Sequence, residues 1–128
     1  MLSQPEGFAR AFAEAWSARD AEAIAALFAP DGDFLTLTGA WAEGREAIAR
    51  TLAAEFKGAF ARTKLVTGRM KLRPLGPHAA VAMQRFVLSG LLDAQGRDVG
   101  RHGAVLTATL LAGKDGWLVA AASFSAEG

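Results

Sequence analysis

The sequence has no cysteine and no tyrosine, and only two histidines, His78 and His102. Without cysteine there is neither disulfide nor thiolate chemistry, and cysteine usage gives no reading of redox compartment. Two histidines exclude a His-rich metal site. The missing tyrosine removes a common acid and hydrogen-bond donor from any pocket. An excess of one charge is missing too: 14 Lys and Arg stand against 13 Asp and Glu, a net charge of +1. That balance carries no general argument for nucleic acid, membrane surface or polyanion. No run approaches the roughly 18 apolar residues of a membrane span. The opening MLSQPEGF has no basic segment followed by an apolar run, so no signal peptide is expected. The expectation is a cytoplasmic protein with no nucleic-acid or membrane partner. No Gly-rich phosphate loop, Ser-His-Asp set or dinucleotide fingerprint occurs. Gly100-Arg101-His102-Gly103 is too short, and it leads into a strand rather than a helix. No cofactor and no metal are expected.

What is present is a chain of 128 residues, 52% of them hydrophobic. That is enough for a single domain, 1–128, with a real core. Residues 4–18 read as a helix, with Ser3 as cap and Pro5 in the first turn. Phe8, Phe12 and Trp16 recur every four residues and share its face. Asp20 caps a second helix over 21–29 with Ile24, Leu27 and Phe28 as its stripe. Pro30 ends it, and Asp31-Gly32-Asp33 is turn chemistry. A strand over 34–38 alternates Phe34, Thr36 and Thr38 against Leu35 and Leu37. Trp41 and Ala42 return the chain. A third helix over 44–60 carries Ile48, Leu52, Phe56 and Phe60 as its buried stripe; Arg45, Glu46, Arg50 and Glu55 lie off it. Four strands follow, over 64–73, 79–91, 101–112 and 117–125. In the first of them Val66, Met70 and Leu72 face one way and Thr67, Arg69, Lys71 and Arg73 the other. Helices first and an antiparallel meander after them indicate an α+β fold, with the helices on one face of a curved sheet. Repeats, linkers and low-complexity segments are absent.

This order, with FAPDGDF, the Trp41-x-x-Gly44-Arg45-Glu46-Ala47-Ile48 run and the late DGWLV hairpin, resembles the NTF2-like (SnoaL-like) superfamily. Within it the chain is similar to the SgcJ/EcaC-type branch. The resemblance spans nearly the whole chain and rests on the order and spacing of loose motifs. It implies a cone-shaped α+β barrel in which a curved, mostly antiparallel sheet wraps the N-terminal helices and leaves an apolar pocket. It also implies a homodimer through the outer sheet face. The superfamily includes isomerases, dehydratases, cyclases, epoxide hydrolases and non-enzymatic association domains, so fold alone does not decide function. Ketosteroid isomerases use a helix-1 tyrosine and a first-strand aspartate. By the resemblance those positions hold Phe12 and Thr36, neither of which performs the same step. The final strand places Ala121 and Ser123 where relatives carry His or Asp.

The candidate site residues follow. Phe12, Trp16 and Phe28 are pocket wall or core. Thr36 is the hydroxyl at the aligned first-strand position. Trp41 sits at the barrel mouth and is a pocket cover or a dimer contact. Arg85, inside the apolar strand VAMQRFVL, needs a partner, because an unpaired buried charge is costly; it is a ligand-carboxylate contact or a paired interface residue. Ser123 orients a ligand. His102 faces out if Thr107 and Thr109 face the pocket. Asp31 and Asp33 read as turn residues before metal ligands, and Arg45 as support for a helix start. The stripe Arg69, Lys71 and Arg73 reads as a solvated or dimer-facing surface. Three functional readings remain open. The first is an apolar pocket binding a hydrophobic or aromatic small molecule, with no cofactor, in a homodimer. The second is a cofactor-independent isomerase, cyclase or hydrolase on a polyketide-like substrate, with Arg85 stabilising negative charge and His102 or an activated water moving the proton. The third is a non-catalytic dimerisation domain.

Overall fold

In the computed structural model the described residues are 2–127; the expected domain span 1–128 adds Met1 and Gly128, which lie outside them. A 3₁₀ turn, Pro5–Gly7, leads into α1, Phe8–Ser17. Proline is suited to that first turn, where its missing N–H is not needed. Arg19, in the left-handed region at φ 55°, breaks the helix. Asp20 then caps α2, Ala21–Ala25, its carboxylate accepting from the Ala23 N–H at 2.9 Å.

The second helix is shorter than its stripe suggests. The chain extends at Phe28, where β1, Phe28–Leu35, begins. Pro30 drives the residue before it towards extended backbone, and the Leu27 carbonyl accepts from Val119 N–H at 2.9 Å. The strand expected over 34–38 therefore starts and ends earlier, and Thr36 to Gly39 form a turn closed by Gly39 N–H on the Thr36 carbonyl. After β2, Trp41–Glu43, α3 runs Arg45–Phe56 and stops four residues short of the expected end. The sheet is completed by β3, Lys64–Pro74, β4, Ala79–Ser89, β5, His102–Gly113, and β6, Gly116–Ala126.

The strands lie in the order β2-β1-β6-β5-β4-β3. All neighbours are antiparallel except β1 and β6, which are parallel. The sheet is six-stranded, curved and unclosed, with the helices against its concave face. This is the α+β architecture expected. No helix among the described residues is long and apolar enough to cross a membrane.

One register shift changes which residues face inward. Between Thr67 and Met70 the β3–β4 pairing slips at Gly68, where an added Cβ would sit 3.1 Å from the Arg85 carbonyl oxygen. A bulge at glycine reverses alternation beyond it. Thr67, Met70 and Leu72 therefore share the inner face, opposite Phe86, Gln84 and Ala82. Val66 instead lies outward, 61% exposed, on the side of Lys71 and Arg73.

The core is a ring of aromatics around α1. Phe12 is fully buried, and its ring centroid lies 5.9 Å from Phe8, 5.7 Å from Trp16, 6.1 Å from Phe34, 6.4 Å from Phe86 and 5.7 Å from Phe124. Such pairs add about 0.5–1.5 kcal/mol each beyond area burial. Phe12→Ala is expected to lower unfolding free energy by about 3–5 kcal/mol, read as a fall in the urea midpoint at unchanged slope. Phe12→Leu should cost clearly less.

Candidate functional site

One cluster of buried polar groups lies where the turn after β1 meets the end of α3. Thr36 is buried at 5% exposure, and its hydroxyl donates to Glu55 Oε2 at 2.8 Å. Thr38, two residues on, donates to the same oxygen at 2.6 Å. The threonine hydroxyls are 3.1 Å apart. Alternation in the extended chain directs both towards α3, and Glu55 in its last turn meets them. The other carboxylate oxygen, Oε1, is buried and has no hydrogen-bond partner. A buried acceptor without a partner costs about 1–3 kcal/mol, more when charged. Such a feature calls for an explanation.

Beside this cluster opens a cleft of about 340 Å³. Its walls include Leu37, Phe60, Leu88 and Leu91, with Thr38 and Asp93 as its polar residues. Thr38 thus belongs to both the cleft and the carboxylate cluster. Phe60 separates the cleft from the packed interior, its ring 5.2 Å from that of Trp16.

Of the expected site residues, Phe12, Trp16 and Phe28 are fully buried and packed in the interior. The Trp16 indole N–H donates to the Thr63 hydroxyl at 2.9 Å, which donates onward to the Phe60 carbonyl. Arg19 lies over the Phe56 ring at 5.8 Å and donates to the carbonyls of Trp16, Ala61 and Thr63. The interior donors are therefore satisfied by the protein itself. The Phe28 carbonyl accepts from the Arg45 guanidinium, so Arg45 ties the helix start to β1.

The other three candidates lie on the convex face. Arg85 is exposed, between outward Met83 and Val87, and pairs with Glu127 at 2.8 Å. It borders a depression of about 300 Å³ with Arg69, Lys71 and Val105. Trp41 is 64% exposed and donates from its indole to Asp33 at 3.1 Å. It shares a second depression, of about 370 Å³, with Leu35, Thr107, Thr109 and Ser123. The candidates therefore form two groups on opposite sides of the sheet: Phe12, Trp16, Phe28 and Thr36 inside, and Trp41, Arg85 and Ser123 outside. His102 has the inward parity of Ala104 and Leu106, and Thr107 and Thr109 face out. It is half-buried at the strand start, with Nε2 3.1 Å from the Val99 carbonyl. Arg85 and His102 are thus directed to different faces.

A family model described as SnoaL-like domain matches residues 9–116. The chain belongs to this family. The SnoaL-like fold is shared with an uncharacterised protein with a cystatin-like fold from Caulobacter vibrioides: TM-score 0.87, 22% identity, covering 96% of this chain and 87% of that one. An NTF2-like protein with a cystatin-like fold from Novosphingobium aromaticivorans superposes with TM-score 0.75 at 19% identity, over 93% of this chain and 77% of its own. A putative calcium/calmodulin dependent protein kinase II association domain from Xanthomonas campestris gives TM-score 0.77 at 22% identity, over 95% and 84% of the two chains. No curated protein matches the chain. At these identities the likeness is one of fold.

Glu55 is the site residue that the helical pattern passed over, because it lies off the apolar stripe of α3. Its signal was electrostatic: an acid in the last turn of a helix opposes the macrodipole. Thr36→Val, which keeps the shape and removes the donor, should cost about 2 kcal/mol in urea unfolding. Thr36→Ser, which keeps the hydroxyl, should recover most of that loss.

Proposed function

We propose that this SnoaL-like domain binds a hydrophobic or aromatic small molecule in the cleft at the end of α3, and does so as a homodimer. The observation that carries this reading is a cleft with apolar walls at Leu37, Phe60, Leu88 and Leu91 and a hydrogen-bonded carboxylate immediately behind Thr38. Small-molecule sites have this make-up: mostly apolar walls with a few fixed polar groups. In this reading Phe12, Trp16 and Phe28 form the rigid base behind Phe60, and Thr36 contributes by holding Glu55. Trp41, Arg85 and Ser123 belong to the convex face, where exposed Leu35, Trp41, Val87 and Leu111 supply apolar area for a second copy. The order of FAPDGDF, the Trp41 to Ile48 run and DGWLV supports a place in the SgcJ/EcaC-type branch. In this reading the domain works in the cytoplasm without a cofactor.

A second reading rests on the unpartnered Glu55 oxygen. A carboxylate beside an apolar cleft is a proton acceptor for a cofactor-independent isomerase, cyclase or hydrolase acting on a polyketide-like substrate. The third reading, association without a ligand, draws support from the convex apolar face and from the fold shared with the Xanthomonas association domain.

A thermal-shift series of aromatic and polyketide-like compounds tests binding. A ligand present at about 100 times its Kd should stabilise the protein by about 2.7 kcal/mol. Leu91→Trp, which fills the cleft, should abolish that shift. A shift that survives Leu91→Trp would place binding elsewhere. For the dimer, the double variant Trp41→Glu with Leu111→Lys should sediment as a monomer with near-unchanged stability, because both side chains are exposed in the single chain.

A further inference from the structure

We infer that the ligand of this cleft is an apolar molecule bearing a protonated amine, with Glu55 as its counter-charge. The inference rests on the cleft reading above and names the chemical class of its occupant.

The charge on the cleft wall and immediately behind Thr38 is acidic. Glu55 Oε2 already accepts from both Thr36 and Thr38, while Oε1 is buried with no partner. The ion pairs among the described residues are Arg10–Glu14 and Arg85–Glu127, so Glu55 has no cationic partner among them. Glu55 stands behind Thr38 rather than on the cleft wall; among the described residues Asp93 is the charged residue that lines the cleft, and no Lys, Arg or His does. Asp93 Oδ1 is committed to its own turn, accepting from the Gln95 and Arg97 N–H groups at 2.9 Å each. Glu55 also stands in the last turn of α3, Arg45–Phe56, where the helix dipole presents its negative end. A carboxylate placed against the dipole, half desolvated and without a cation, breaks a local rule of helix design, and such breaks mark functional positions.

A ligand ammonium satisfies every part of this arrangement. It donates to the unpartnered oxygen, neutralises a carboxylate that has no protein cation, and meets the favourable end of the helix. Its apolar body lies against Leu37, Phe60, Leu88 and Leu91. Access to Oε1 runs past Thr38, which is exposed and lines the cleft. The terminal carboxyl torsion of glutamate is soft, so a small rotation there lets Oε1 meet an entering donor. An acidic ligand would instead face Glu55, Asp93 and the helix end together.

The test is a matched series: n-octylamine, 1-octanol and octanoate, titrated calorimetrically into wild type, Glu55→Gln and Leu91→Trp at neutral pH. The wild type is expected to bind the amine about tenfold more tightly than the alcohol, as an ion pair replaces a hydrogen bond from a neutral donor. Octanoate should be the weakest of the three. Glu55→Gln should bring amine and alcohol to within about twofold of each other, chiefly by loss of amine affinity. Amine binding should weaken with added salt while alcohol binding does not. Equal wild-type affinity for amine and alcohol, or an amine preference that persists in Glu55→Gln, would overturn the inference; if Leu91→Trp still abolished binding, the cleft reading would stand alone. If neither amine nor alcohol bound, or if Leu91→Trp left binding intact, the cleft reading would fall and the inference with it. The wild-type series and its salt dependence decide the matter even if Glu55→Gln does not fold.

Discussion

Phe12 meets five aromatic rings, contributed by α1 itself and by β1, β4 and β6. Those strands approach one helix face from three sides only if the sheet bends around it. The curvature is therefore tied to the contents of the concave face. Small residues on β5 and β6, Ala104, Ala108 and Ala122, lie against that face and leave room for the rings. Larger rings stand on the flanking strands as Phe34 and Phe86. Interiors tolerate little void, so alanine and phenylalanine alternate around the helix as volume requires. The aromatics fill this space, and the cleft at the end of α3 lies beyond Phe60.

Much of the fold was legible in residues of simple periodicity. Phe8, Phe12 and Trp16 at four-residue spacing identified α1 and its buried face, and Asp20 marked the start of α2. The errors have local physical causes. Leu27 and Phe28 continue a helical stripe, yet Pro30 and pairing with Val119 draw the chain into β1. Strict alternation misplaced Val66 and Thr67 relative to Met70 and Leu72 because the bulge at Gly68 exchanges the faces beyond it. The faces of β5 could not be chosen from pattern alone, since Thr107 and Thr109 suit either side by propensity.

The candidate site was less legible than the fold. Thr36 was singled out by its position on the first strand, but its partner Glu55 lies 19 residues away and off the apolar stripe. Contacts between elements distant in sequence leave no periodic trace. Arg85 looked anomalous in an apolar strand, and the anomaly was real but outward-facing, resolved by Glu127 at the surface. A sheet with one packed and one open face produces such ambiguity, because a strand reads apolar whenever its outward residues also include Met83 and Val87.

The parallel pairing of β1 with β6 has a consequence for how the chain acquires this shape. Phe28 aligns with Val119 and Phe34 with Ala122, so a strand made early waits for one made late. Closing so long a loop is entropically slow. Until β6 is in place, the aromatic face of α1 lacks Phe124, and β1 has only the three residues of Trp41–Glu43 beside it. On an emerging chain that interval is when Phe12 and Trp16 are most open to association with other chains. Late closure by β6 makes the hazard kinetic: it lasts as long as synthesis and docking of that strand take, and ends when the strand seats.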